Sequence, residues 1–166
     1  MDAKKAVRTA IEEEKLDYTY ITNGLFYPII FQPMAGFDLQ NHKVIIPGTG
    51  NEKVNFTHVP DLGKFVAEIL LDPTTVNQSI YVKSDSTTYN EAVKVFEEVS
   101  GKKFEVQYAT LEELKKNYEV DVGGAKFFDL IKITSLTTDG NSFESNRNYD
   151  VKTTTLRDYA KIIFNK

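Results

Sequence analysis

Two helix-start signatures, separated by an alternating apolar triplet, constrain this chain most. Thr88-Tyr89-Asn90-Glu91 and Thr110-Leu111-Glu112-Glu113 each set a threonine three residues before a glutamate, the spacing at which hydroxyl and carboxylate cap each other's backbone N–H groups. Ser100-Gly101 closes the first of these helices, because glycine takes the left-handed conformation at a helix end with little cost. Between the two signatures Phe104, Val106 and Tyr108 alternate with other residues, as one face of a strand does. Ile80 and Val82 alternate in the same way just upstream. The region therefore predicts strand, helix, strand, helix, and the class is α/β or α+β.

The flanking segments extend that rhythm. Ala3, Val7, Ala10 and Ile11 recur at helical spacing, and Tyr18-Thr19-Tyr20-Ile21-Thr22 has the β-branched and aromatic content of a strand. Residues 24–37 are apolar and aromatic but interrupted by Pro28, Pro33 and Gly36, which suits an irregular loop lining a cavity. Lys43 to Ile46 and Lys53 to Phe56 read as strands. Pro60 fits a first helical turn, Leu62, Phe65, Val66, Ile69 and Leu70 form a stripe behind it, and Asp72-Pro73 stops that helix. Ala92, Val95, Phe96 and Val99 are expected to face inward in the next helix, and Leu111, Leu114 and Tyr118 in the one after. A short apolar run, Phe127-Phe128-Asp129-Leu130-Ile131, precedes a polar stretch over 137–149 that we expect to be mobile. A last helix resumes at Thr155 with Leu156, Tyr159, Ala160 and Ile163 as its buried stripe.

Composition excludes several functions. With no cysteine among 166 residues there is no disulfide framework, thiolate zinc site or cysteine nucleophile. His42 and His58 are isolated from each other and from carboxylate clusters, so no metal site is expected. A net charge of −4 with scattered lysines argues against nucleic-acid binding. No apolar run reaches membrane-spanning length, and the N-terminal residues lack the apolar core of a signal peptide. We therefore expect a cytoplasmic protein without membrane contact. Glu12-Glu13-Glu14 reads as a solvated helix face. Asp61, at a helix start, reads as a structural carboxylate accepting backbone N–H bonds, and Glu91 and Glu113 as helix caps.

A glycine-rich pyrophosphate loop is missing from these residues. Such a loop needs glycines between a first strand and first helix, so that backbone N–H groups can hold the phosphates. The nearest candidate, Pro47-Gly48-Thr49-Gly50, has two glycines and runs into a strand-like segment, so we expect a hairpin turn there.

Three ordered stretches nevertheless resemble the isoflavone-reductase-like and NmrA-like family of atypical short-chain dehydrogenases. They are Lys4-Lys5-Ala6-Val7-Arg8-Thr9-Ala10-Ile11-Glu12 leading to Leu16-Asp17-Tyr18-Thr19-Tyr20-Ile21 and Asn23-Gly24-Leu25-Phe26; Asp61-Leu62-Gly63 with Leu71-Asp72-Pro73-Thr74-Thr75-Val76-Asn77 and Ile80-Tyr81-Val82; and Asn90-Glu91-Ala92 with Phe96-Glu97 and Gly101-Lys102. The resemblance implies an α/β, truncated NAD(P)-binding Rossmann-like fold in a single unit over 1–166. Residues 1–37 would be a remnant of the Rossmann half with the pocket loop, and 38–166 the substrate-side subdomain. By the same resemblance Lys4 is the catalytic lysine, with Lys5 as the neighbouring register. Lys4, Gly24, Leu25, Phe26 and Tyr27 would lie against NADP(H) or NAD(H), and Phe26, Ile30, Phe31 and Met34 against a small organic substrate. On the residues alone, Lys4 also reads as a solvated surface lysine and Phe26, Tyr27 and Phe31 as plain core. The activity implied is NAD(P)-dependent reduction, or an inactive C-terminal portion of such an enzyme. The alternative is a noncatalytic NmrA-like regulator that senses nucleotides or binds a protein. A homo-oligomer or the missing N-terminal half are the expected protein partners, since Tyr18 to Thr22 would otherwise be an open sheet edge.

Overall fold

The computed structural model describes residues 2–120, 125–137 and 145–165. The elements, in chain order, are α1 (Asp2–Glu13), β1 (Thr19–Asn23), β2 (Leu25–Phe26), α2 (Tyr27–Ile30), β3 (Phe37–Asp38), β4 (Lys43–Pro47), β5 (Lys53–Thr57), α3 (Val59–Leu71), β6 (Gln78–Val82), β7 (Asp85–Thr88), α4 (Tyr89–Ser100), β8 (Glu105–Ala109), α5 (Leu111–Val120), α6 (Lys126–Thr137) and α7 (Leu156–Phe164). Both capping boxes form. Thr88 Oγ1 accepts from the Glu91 N–H at 3.1 Å while Glu91 accepts from the Thr88 N–H at 3.0 Å, and Thr110 and Glu113 repeat the exchange at 3.2 and 2.8 Å. Gly101, at φ 74°, ends α4 in the left-handed region.

Among the described residues, eight strands form three small sheets. β1 and β6 run parallel, with Ile21 opposite Ile80 and Asn23 opposite Val82. Successive strand residues point to opposite faces, and each face of β1 meets a helix. On one, Ile21 joins Ile80, Val82 and the Phe65 and Ile69 of α3 in a small core; on the other, the Arg8 guanidinium of α1 lies 4.7 Å over the Tyr20 ring. A parallel pair with helices on both faces is the α/β arrangement. The other sheets are β2–β5–β7, with β2/β5 parallel and β5/β7 antiparallel, and β3–β4–β8, with β3/β4 antiparallel and β4/β8 parallel. Their inner faces, with α2, α4 and α7, enclose the main core around Phe31, Phe37, Phe56, Phe96 and Tyr159.

Several expectations are corrected. Residues 47–50 do turn the chain, but β4 and β5 belong to different sheets, so this is a connection between sheets rather than a hairpin. Its shape is held from outside: the Gly48 N–H donates to Ala109 O and the Asn90 N–H to Gly50 O. Leu70 does not complete the α3 stripe and is 79% exposed, because a position next to Ile69 lies about 100° around the helix. In α1 the residues Ala3, Val7 and Ala10 are exposed and only Ile11 is partly covered. Of the polar stretch expected to be mobile, 138–144 lie outside the described residues, whereas 145–149 are tied to the body. Asn146 accepts from the Tyr81 N–H at 3.0 Å and donates to Ser79 O at 2.7 Å, covering the outer edge of β6 as a strand would. Arg147 adds an ion pair to Asp72 at 2.9 Å.

Candidate functional site

Gly24 makes the corner on which the site is built. Its N–H donates to Val82 O at 3.3 Å, and a Cβ placed on it would lie 2.5 Å from Asn55 O. Only a residue without a side chain lets the β1/β6 pair and the β2/β5 pair approach this closely. Beside this corner, residues of both pairs face residues of α6. The result is a cavity of about 340 Å³ with a mostly apolar lining. Thr22, Asn23, Tyr81 and Val82 come from the C-terminal ends of β1 and β6, Gly24 and Leu25 from the turn and β2, Lys53, Val54 and Asn55 from β5, and Leu130, Ile131, Thr134 and Ser135 from α6.

The polar groups around the cavity are held in fixed orientations. Asn55 Oδ1 accepts from Ser86 Oγ at 2.7 Å and from Lys83 Nζ at 3.4 Å, and Asn23 Nδ2 donates to Gly24 O at 2.7 Å. On α6, Thr134 Oγ1 donates to Leu130 O at 2.7 Å. Within the helix, Lys132 and the buried Asp129 pair at 3.7 Å, and Ile131 and Lys132 border a second, much smaller void shared with Ile30, Phe37 and Tyr89. Burial lowers the Lys132 pKa, partly offset by the Asp129 carboxylate. Burial raises the Tyr89 pKa, against the opposing pull of its hydrogen bond with Ser135.

The residues singled out in the sequence divide into four groups. Gly24 and Leu25 line the cavity. Phe26, partly buried, follows directly in β2 opposite Thr57. Tyr27, Ile30 and Phe31 lie in the main core, where Tyr27 stacks on Tyr159 at 4.7 Å and Phe31 meets Phe96 edge-on at 4.8 Å. Pro28 is the second residue of the single turn of α2, where its missing N–H costs little, and Tyr27 and Ile30 on either side of it are buried. Met34 is 52% exposed on the following 3₁₀ turn, and Lys4 is exposed on α1, outside the cavity lining. The wall contributed by β5 and α6 was not anticipated, although the apolar run Phe127 to Ile131 was its visible trace.

Asp61 is structural, as expected, but besides Lys64 in the same helix its partners are distant in sequence. Its buried carboxylate accepts from the Thr154 N–H at 2.6 Å, Ser84 Oγ at 2.8 Å and Lys64 Nζ at 2.8 Å. Burial works to raise its pKa, and the hydrogen bonds from Lys64, Thr154 and Ser84 outweigh burial and hold it below the usual carboxylate value. His58 joins this cluster through Thr154 Oγ1 at 3.0 Å. Among the described residues no group of three or more potential ligands could hold a metal ion, and no helix is long and apolar enough to cross a membrane.

A parallel strand pair covered by helices on both faces, with a cavity at the carboxyl ends of its strands, defines a Rossmann-like α/β protein. The chain belongs to the NmrA-like family, whose model matches residues 1–162. Among curated relatives it is 33% identical over 172 residues to phenylcoumaran benzylic ether reductase TP7 of Nicotiana tabacum, covering 94% of this chain and 56% of that protein. It is 37% identical over 120 residues to eugenol synthase 1 of Petunia hybrida, covering 69% and 39%. The chain thus spans about half the length of the curated relatives it matches. Among solved structures, AtPrR2 with NADP+ and (+)pinoresinol superimposes with a TM-score of 0.78 at 28% identity, over 98% of this chain and 56% of that one. The leucoanthocyanidin reductase–NADPH complex of Vitis vinifera shares the fold with a TM-score of 0.80 at 20% identity, over 98% and 57%.

Proposed function

We propose that this chain forms the substrate-side part of an NAD(P)H-dependent reductase of the isoflavone-reductase-like type, acting on a small organic molecule held between Gly24 and α6. The position of the cavity carries this reading. Open α/β sheets bind their ligands outside the carboxyl ends of the strands, and Thr22, Asn23, Tyr81 and Val82, at those ends of β1 and β6, line it. The reductase and synthase names of the relatives favour catalysis over a purely regulatory role.

A volume of about 340 Å³ suits a ring-sized group rather than a whole dinucleotide. No glycine-rich pyrophosphate loop occurs in these 166 residues, so the phosphates would rest on residues outside them, in the same polypeptide or in a partner. The second edge of β1 carries no strand among the described residues, and the adjacent outer face of α1 is exposed; a further parallel strand and its helix would join there. NAD(P)H, when bound, supplies the hydride. Gly24 and Leu25, with Phe26 beside them, would admit the nicotinamide end, and Tyr27, Ile30 and Phe31 would stiffen that wall from the core. Met34 belongs to the substrate side by resemblance, and Lys4 is assigned as the lysine that holds the ribose and assists proton transfer.

The test is a fusion that places the unmatched part of the Vitis vinifera leucoanthocyanidin reductase ahead of this chain. We expect it to consume NADPH with a member of a panel of phenylcoumaran benzylic ethers and pinoresinol, and Lys4→Ala to slow turnover about a hundredfold. A folded fusion that binds NADPH without turnover on any of them would refute the catalytic reading.

A further inference from the structure

The cavity carries a charge pattern that points to one end of its ligand. Its inner surface is mostly carbon, contributed by Leu25, Val54, Val82 and Ile131, and among the described residues no carboxylate lines it. Among the described residues Lys53 is its single charged lining residue, at the exposed start of β5. The ion pairs among the described residues engage Lys43, Lys64, Lys103, Lys132, Arg147, Arg157 and Lys161, and not Lys53. A second ammonium stands close by, since Lys83 Nζ reaches Asn55 Oδ1 on the cavity wall at 3.4 Å. The site therefore joins an apolar interior to a cationic rim.

An apolar interior of this size favours a molecule with one ring or a short chain, and a rim of this sign favours an oxyanion over a cation. We propose that the cavity binds a ring-sized apolar molecule whose oxyanion-bearing end is read by Lys53, making Lys53 a specificity-determining residue. This rests on the cavity being the ligand site proposed above, and it requires no nucleotide. Because Lys53 is exposed, water and salt screen the contact, and the preference it creates is a few-fold rather than a thousandfold.

Isothermal titration of the whole chain with 3-phenylpropanoate and with 3-phenylpropanol compares two ligands that share a ring and differ at one end. We expect both to bind, the carboxylate about two- to five-fold more tightly, with the difference collapsing in high salt. Lys53→Met should bring the ratio to about one by weakening the carboxylate, while continued binding of the alcohol shows that the cavity is intact. Thr134→Phe, an exposed change on the α6 wall, should weaken both ligands at least tenfold. Equal affinities in the parent chain, a ratio unmoved by Lys53→Met, or no binding of either probe at millimolar concentration overturns the proposal. A chain that shows the carboxylate preference but never turns over NADPH in the fusion keeps this inference and loses the reductase reading.

Discussion

Replacing Asp61 by asparagine should be among the most damaging isosteric changes in the chain. The carboxylate is fully buried and joins three separate segments: Lys64 in its own helix, Ser84 between β6 and β7, and Thr154 just ahead of α7. Asparagine keeps the volume but turns one acceptor into a donor. Either the amide meets the Thr154 N–H and Ser84 hydroxyl, or it meets the Lys64 ammonium. Hydrogen bonds to a charged group contribute about 1.5–3 kcal/mol, and a stranded buried donor costs about 1–3 kcal/mol. Since Lys64 is half-exposed and can turn to water, we expect a net loss of about 2–4 kcal/mol at neutral pH. With a urea slope of about 2 kcal/mol per molar, the midpoint falls by roughly 1–2 M. The chain has no tryptophan, so far-UV circular dichroism is the readout. The pH dependence has a definite sign. The folded pKa is depressed, so the stabilisation is present above the unfolded value of about 4 and is lost as pH falls through the folded one. The gap between parent and variant should therefore narrow below about pH 4. A midpoint change no larger than that of Glu68→Gln, on the exposed side of α3, at pH 7 would refute the reasoning.

Gly24→Ala should destabilise by about 1–3 kcal/mol, because its methyl would meet Asn55 O at 2.5 Å; chemical denaturation measures this, and binding of 3-phenylpropanol should fall with it. Phe96→Ala, at a residue with no exposed surface, should cost about 3–5 kcal/mol, whereas Val7→Ser, 60% exposed on α1, should change the urea midpoint little. Thr88→Ala removes one half of a capping box and should cost about 1 kcal/mol, with faster amide exchange confined to the first turn of α4 as its signature.

What was legible in the sequence was what local chemistry decides. Thr88, Glu91, Gly101, Thr110 and Glu113 terminate their helices through partners within four residues, so their spacing was sufficient. The strands with alternating or continuous apolar residues were readable for the same reason. β7 was not, because Asp85-Ser86-Thr87-Thr88 has no apolar face and is a strand only through its pairing with β5. The aromatic density of residues 24–37 was plain, but Tyr27 and Phe31 lie in the core because Tyr159 on α7 and Phe96 on α4 come to meet them. Asp61 could be recognised as structural without its partners, since Ser84 and Thr154 reach it only through tertiary folding. The cavity depends on the approach of Gly24 to Asn55 and on the placement of α6, and neither has a local signature. Family resemblance supplied the fold, and geometry supplied the wall that β5 and α6 contribute.

The cavity at the ends of β1 and β6 is proposed to be the substrate side of a hydride-transfer site. The most direct measurement is a crystal structure of the fusion with NADP+ bound. We expect the nicotinamide ring against Gly24 and Leu25, with the remaining cavity open toward Ile131 and Thr134 for a second molecule. A nicotinamide bound away from Gly24, or a cavity filled by the added half itself, would contradict it.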